Sequence, residues 1–180
     1  MPVRDVVSWN TMISGYSSYG FGDQAFQIFL EMQNIGTRPS VFTYTIMVSL
    51  VSSPCQGKQI HGRLIRSGMN FSNLVLGNSL INMYGNFGLV DYSFGVISTM
   101  KQLDIISWNS LIWACHNAGH QELALEQFHR MRSKELFPDE FTSSILISVC
   151  SNLQDLEQDW RIPYSFLENN INGTQLYAVP

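Results

Sequence analysis

DIISWNSLIWACHNAGHQELALEQFHRMRSKELFPD, from Asp104 to Asp139, is the stretch that decides the fold, because the chain contains it twice. Its counterpart is DVVSWNTMISGYSSYGFGDQAFQIFLEMQNIGTRP, from Asp5 to Pro39. Trp9, Asn10, Gly20, Ala25, Phe29, Met32 and Pro39 return 99 residues later as Trp108, Asn109, Gly119, Ala124, Phe128, Met131 and Pro138. Self-similarity at a fixed offset marks an array of small supersecondary units.

The offset is itself subdivided. In LVLGNSLINMYGNFGLVDYSFGVISTMKQLD, from Leu74 to Asp104, Asn78, Gly88, Asp91 and Met100 stand where Asn10, Gly20, Asp23 and Met32 stood. A more divergent unit, Val41 to Asn73, lies between, and EFTSSILISVCSN from Glu140 repeats VFTYTIMVSLVSS from Val41. The units therefore divide at 6–40, 41–73, 74–104 and 105–139, each 31 to 35 residues long. Residues 1–5 resemble 100–104, the tail of a unit, and 140–157 form a partial unit. Residues 158–180, with Pro163, lose the pattern and read as a loose tail. Both ends are expected to be those of a fragment of a longer array.

Each unit patterns as two helices. Trp9, Ile13 and Tyr16 form one apolar stripe, and Ala25, Ile28, Phe29 and Met32 form a second, at the spacings of a helix face. Gly20 and Gly22 separate them, Asp23 suits a helix start, and Gly36 and Pro39 suit a helix end. Few stretches alternate with period two for long, so no strands are expected. A two-helix unit this short cannot bury both stripes alone, but stacked neighbours can. The expected fold is all-α, a superhelical solenoid of stacked helix-turn-helix repeats. Ser53-Pro54-Cys55 shortens the connection in the second unit and is expected to shorten a helix there.

Composition narrows the function. The chain has 180 residues, is 45% hydrophobic and can bury a sizeable core. No apolar run is long enough for a membrane-spanning helix, so no membrane partner is expected. The three cysteines, Cys55, Cys115 and Cys150, form no Cys-x-x-Cys pair and are expected to be buried free thiols. His116 and His120 flank Gly119 in a turn and cannot share a helix face, so no metal is expected; His61 and His129 are placed on polar helix faces. No phosphate-binding loop, nucleophile elbow or deaminase signature occurs. The chain is read as a non-enzyme with no cofactor and no small-molecule substrate.

VVSWNTMISGY and its copies, with the later G…DQAFQIFLEM…G..P, resemble pentatricopeptide repeats of the plant type. The order of lengths resembles the subclass that alternates P, L and S repeats: P at 6–40, a shortened L at 41–73, S at 74–104, P at 105–139. The resemblance implies sequence-specific binding of single-stranded organelle RNA, about one base per repeat. It further implies a role as a site-recognition adaptor in RNA editing or processing, with any deamination supplied by a separate deaminase or editing-complex protein. Localisation by resemblance is the mitochondrion or the chloroplast, the mitochondrion favoured. The competing readings are a protein-binding helical scaffold and a truncated product without independent activity.

In that family the fifth and the last residue of a repeat face the base. The resemblance thus assigns Asn10 with Ser40, Asn78 with Asp104, and Asn109 with Asp139, and more weakly Thr45 with Asn73. Val7, Phe42, Val75 and Ile106, the second residues, would sandwich the bases. The chemistry is coherent, because an ionised carboxylate only accepts hydrogen bonds and suits uracil, whose N3 carries a hydrogen. The Asn/Asp pairs imply uracil, and Asn10/Ser40 implies cytosine over uracil. The same side chains could equally serve as helix caps. Against tight binding stands a net charge of −4 and first helices without a Lys or Arg. Where the family often places a lysine, this chain has Ser18, Ser53, Asn86 and Asn117. Lys58, Arg63, Arg66, Arg130, Arg132 and Lys134 fall on second helices and are expected to be solvated, so RNA binding is expected to be weak and salt-sensitive.

Overall fold

A computed structural model describes residues 5–69 and 73–156. Among them every regular element is an α-helix: α1 (Val6–Ser18), α2 (Gly22–Asn34), α3 (Val41–Ser49), α4 (Pro54–Arg66), α5 (Leu74–Asn86), α6 (Val90–Thr99), α7 (Ile105–Asn117), α8 (Gln121–Ser133) and α9 (Glu140–Leu156). The leading segment before Asp5 and the tail at 158–180 lie outside the described residues.

The helices pair as hairpins, α1 with α2, α3 with α4, α5 with α6 and α7 with α8. The first helices also pack in succession, α1 on α3, α3 on α5, α5 on α7 and α7 on α9. This succession carries the same register position of each first helix along one face of the stack. The stripes are buried except at Tyr16, which is 42% exposed at the end of α1, and Ile28, which is half-buried. Trp9 and Ile13 of α1, and Ala25, Phe29 and Met32 of α2, are buried, as are Trp108, Ala124, Phe128 and Met131 in the fourth hairpin. Burying a large apolar side chain contributes about 1.5–3 kcal/mol, so the stacking of unit upon unit supplies most of the stability. Two apolar clusters result, one spanning the first three hairpins and one built on α7, α8 and α9.

The seam between them is tight. A Cβ on Gly85 of α5 would lie 2.7 Å from Ala114 Cβ and 2.9 Å from Ala114 Cα of α7. The asparagines late in α5 and α7 serve the same seam: Trp113 donates to Asn86 (3.3 Å) and Asn117 donates to the Gly85 carbonyl (2.9 Å).

Three expectations need correction. Cys115 and Cys150 are buried, but Cys55 is exposed. The buried stripe of α4 is Gly57, Ile60 and Leu64, and Cys55 lies on the far side of the helix from Gly57. His61 is not on a free polar face. Its Nδ1 lies 2.8 Å from the Tyr84 hydroxyl, and burial lowers its pKa. Nor is every second-helix cation solvated, since Arg63 is half-buried and donates to Gln33 (2.8 Å), tying α4 to α2. The shortened helix is α3, with 9 residues against 13 in α1, α5 and α7. It stops where Ser53 caps α4 and Pro54 opens it. Proline is tolerated at a first helical position, but it disfavours helical backbone at the residue before it, so a preceding helix tends to end short of it.

Candidate nucleic-acid interface

The start of each first helix is capped by the side chain just before it. Asp5 accepts from Ser8 N–H, Ser40 from Thr43 N–H, Asn73 from Leu76 N–H, Asp104 from Ser107 N–H and Asp139 from Thr142 N–H. Capping explains why Ser, Asn and Asp stand at these positions, since the first N–H groups of a helix lack partners within it.

Three of these caps do a second thing. Asn10 Nδ2 donates to Ser40 Oγ (3.2 Å), Asn78 Nδ2 to Asp104 Oδ1 (3.2 Å), and Asn109 Nδ2 to Asp139 Oδ1 (3.1 Å). The fifth residue of one hairpin is thereby joined to the cap that begins the next. A carboxylate can only accept, so in the two aspartate junctions the amide nitrogen must face the acid.

The structure adds a third member to each junction. Thr43 Oγ1 donates to Asn10 Oδ1 (2.6 Å), Ser107 Oγ to Asn78 Oδ1 (2.7 Å), and Thr142 Oγ1 to Asn109 Oδ1 (2.7 Å). These hydroxyls were overlooked in the sequence, although the spacing Ser40-x-x-Thr43, Asp104-x-x-Ser107 and Asp139-x-x-Thr142 is that of a reciprocal capping motif. In return each accepts from the backbone N–H of its cap residue, Ser40 at 2.9 Å, Asp104 at 3.3 Å and Asp139 at 3.2 Å.

Electrostatics follow from the same bonds. Burial pushes the Asp104 carboxyl up, but the N–H and hydroxyl of Ser107 and the amide of Asn78 outweigh it and hold the pKa below the ordinary value. Burial likewise acts against Asp139, and the N–H and hydroxyl of Thr142 with the amide of Asn109 reverse it. Both carboxylates are therefore ionised acceptors at neutral pH. All bonds to Asp104 and Asp139 among the described side chains end on Oδ1, which leaves Oδ2 as the second acceptor. Asn78 and Asn109 are only 6% and 3% exposed, so a ligand can touch the edge of the amide and little else.

The second junction is built differently. Thr45 Oγ1 donates back to the Val41 carbonyl (3.0 Å), and Asn73 caps Leu76 N–H (3.1 Å) without a bond between them among the described residues. The third residue of the following helix is Leu76, fully buried in the core and without a hydroxyl.

Beside the junctions runs a row of exposed apolar side chains. Val7, Phe42, Val75 and Ile106 are 70%, 57%, 62% and 57% exposed, each two residues after a cap, and Phe141 repeats the position in α9. Single exposed apolar side chains are ordinary; the same register position exposed five times along a stack marks a contact surface. No Lys or Arg lies on α1, α3, α5 or α7. Among the described residues no group of His, Cys, Asp and Glu could hold a metal ion, and no helix is long and apolar enough to cross a membrane.

The PPR repeat family matches residues 4–51 and 103–152, and the PPR repeat itself matches 78–105. The chain belongs to the PPR repeat family. A mitochondrial pentatricopeptide repeat-containing protein of Arabidopsis thaliana is 46% identical over 150 residues, covering 81% of this chain and 24% of that protein. A chloroplastic one from the same plant is 30% identical over 171 residues, covering 93% of this chain and 24% of that protein. The chain thus spans about a quarter of the length of the curated relatives it matches.

Solved structures show the same PPR solenoid. The pentatricopeptide repeat protein PPR10 in complex with an 18-nt psaJ RNA element superposes with a TM-score of 0.73 at 18% identity, covering 97% of this chain and 27% of that one. The PPR domain of Arabidopsis thaliana protein-only RNase P 1 in complex with tRNA superposes at 0.64, also at 18% identity, covering 92% and 95%.

Proposed function

We propose that this PPR chain is a single-stranded RNA reader of the P, L, S subclass, in which Asn10/Ser40, Asn78/Asp104 and Asn109/Asp139 each meet one base. Repeats of P, L, S and P type are assigned to 6–40, 41–73, 74–104 and 105–139. The observation that carries this reading is the threefold junction, in which a fifth-residue asparagine and the next cap present adjoining polar edges beside an exposed apolar side chain. Val7, Phe42, Val75 and Ile106 offer apolar faces on which bases can stack. Thr45 and Asn73, which do not meet, make the second hairpin a poor discriminator.

The cap sets the base. Ionised Asp104 and Asp139 accept from uracil N3–H and repel the N3 lone pair of cytosine. Ser40 differs, because its hydroxyl carries a proton: it lies 3.0 Å from Thr43 Oγ1, and turned from there to a base it offers a donor to an acceptor such as cytosine N3. The array then reads pyrimidine, any base, uracil, uracil from 5′ to 3′. Relatives named for the mitochondrion and the chloroplast support an organelle as the site of action. The role is recognition of an editing or processing site, with the chemistry performed by a separate deaminase or editing-complex protein.

Fluorescence anisotropy with short labelled RNAs, at low and moderate salt, tests this directly. Binding should be weak and fall as salt rises, because few phosphates are neutralised. Asp139→Ser copies the first junction into the fourth and should move the uracil-to-cytosine preference there by about tenfold, the scale of one charge-assisted hydrogen bond. An unchanged ratio would contradict the reading.

A further inference from the structure

We propose that Thr43, Ser107 and Thr142, the third residues of the hairpins that follow each reading asparagine, are positioning residues that set what the asparagine offers a base. The inference rests on the base-reading assignment above and deepens it.

An asparagine amide is nearly symmetric in shape, and its oxygen and nitrogen exchange places by a half-turn about χ2. A reader built on it needs something to fix the sense. In all three junctions the hydroxyl lies 2.6–2.7 Å from the amide oxygen. Its oxygen accepts from the cap residue's backbone N–H, and its single proton lies between the amide oxygen and the cap's own oxygen, 2.7–3.0 Å away. The amide oxygen is thereby occupied, and one Nδ2 hydrogen is taken by the cap. The remaining Nδ2 hydrogen is the amide's free donor, matched to an acceptor such as the O2 of a pyrimidine.

The need is greatest where the cap is ambiguous. Asp104 and Asp139 can only accept, so they also hold the amide sense. Ser40 can donate or accept, so at Asn10 only Thr43 decides it. The second hairpin is the internal control. Leu76 occupies the third position, brings no hydroxyl, and the junction before it is unjoined.

The test uses the full 180-residue chain. Thr142→Val keeps the shape and removes the hydroxyl, while Thr142→Ser keeps the hydroxyl; Thr43→Val and Thr43→Ser repeat the comparison at the other end of the stack. Two readouts are taken: the side-chain NH2 resonances of Asn109 and Asn10 by NMR without RNA, and the pyrimidine-to-purine affinity ratio opposite each junction.

The valine variants should shift and broaden the NH2 signals of their own asparagine only. They should narrow the ratio at their own base about fivefold, the scale of one hydrogen bond, and leave the ratio opposite Asn78/Asp104 unchanged. The serine variants should restore both readouts. If the NH2 signals do not move in the valine variants, the positioning role is overturned whether or not RNA binds. If they move and the ratio does not, the role in reading is overturned. If Thr142→Val does not fold, the Thr43 pair decides by the same readouts. A parent chain with no base preference at any junction would instead overturn the base-reading assignment itself.

Discussion

In the fourth hairpin Asn109 reaches Asp139 and receives a hydroxyl from Thr142, whereas in the second Thr45 turns back on its own helix and Asn73 only caps the next. The two start from the same repeat, and the difference comes from few residues. Threonine is too short to bridge from the fifth position, and Leu76 places a methyl-rich side chain where its neighbours have a hydroxyl. The shortened α3 adds to this, ending at Ser49 before the Ser53-Pro54 junction. A helical repeat can thus keep its capping and its core while losing the polar bridge between units. The bridge is a separate feature from the fold.

Packing offers the largest contrast. Gly85→Ala would push a Cβ onto the backbone of Ala114 at the seam beneath the joined junctions, and backbone cannot move aside. Overpacking should outweigh the helix propensity gained and lower stability by about 2 kcal/mol. Gly57→Ala, in the second hairpin, presses on the flexible end of Met83 and otherwise meets Val51 Cγ1 at an ordinary 3.4 Å, and should lower it by less than about 1 kcal/mol. Urea titrations followed by circular dichroism compare the two, and equal losses would break the contrast.

The caps come next. Asn73→Ala removes a cap alone and should cost about 1 kcal/mol. Asp139→Ala removes a cap and also strands the buried amide of Asn109, so its loss should be about 2 kcal/mol in the same titration. A matching loss in the two variants would mean that the Asn109 bond adds nothing.

pH separates the two regions in another way. The pKa of His61 is lowered in the folded chain, so the unfolded chain binds the proton more tightly. Its contribution is complete above the ordinary histidine range and is lost as pH falls from about 6.5 through the lowered value. Asp104 and Asp139 are also lowered, so their contribution holds until pH falls below about 4. Thermal melts should therefore weaken first from the α4–α5 contact and only later from the joined junctions. His61→Gln should flatten the upper step and leave the lower one; persistence of the upper step would assign it elsewhere.

The smallest effect lies in the fourth hairpin itself. Glu135 occupies the left-handed region (φ 61°) at the position held by Gly36 (φ 84°) in the first hairpin. Glu135→Gly should raise stability by about 0.5–1 kcal/mol, relief of left-handed strain reduced by the entropy of glycine, visible as a small rise in Tm.

The repeat offset and its apolar stripes were enough to place the helices, because burial at helical spacing is a local pattern. Asn109 and Asp139 could be singled out by their place in the repeat. That their amide and carboxylate touch depends on how α7 meets α9, which no local pattern states. Thr142 went unnoticed because its spacing from Asp139 reads as a cap, and a cap explains a hydroxyl without any partner 33 residues away. The pairing of His61 with Tyr84 was hidden for the same reason, since it joins α4 to α5 across 23 residues. Cys55 was misjudged because composition speaks for cysteines in general, while its exposure is set by the face of α4 that Gly57, Ile60 and Leu64 bury.

The most direct measurement is a base scan. Every base is placed in turn opposite each of the four hairpins, and the affinity of the 180-residue chain is read by anisotropy at fixed low salt. The joined junctions should each discriminate, with uracil favoured opposite Asn78/Asp104 and Asn109/Asp139 and a pyrimidine opposite Asn10/Ser40. The second hairpin should give a profile flat to within about twofold, less than one hydrogen bond is worth. Equal discrimination at all four hairpins, or at none, would contradict the link between the polar bridge and base reading.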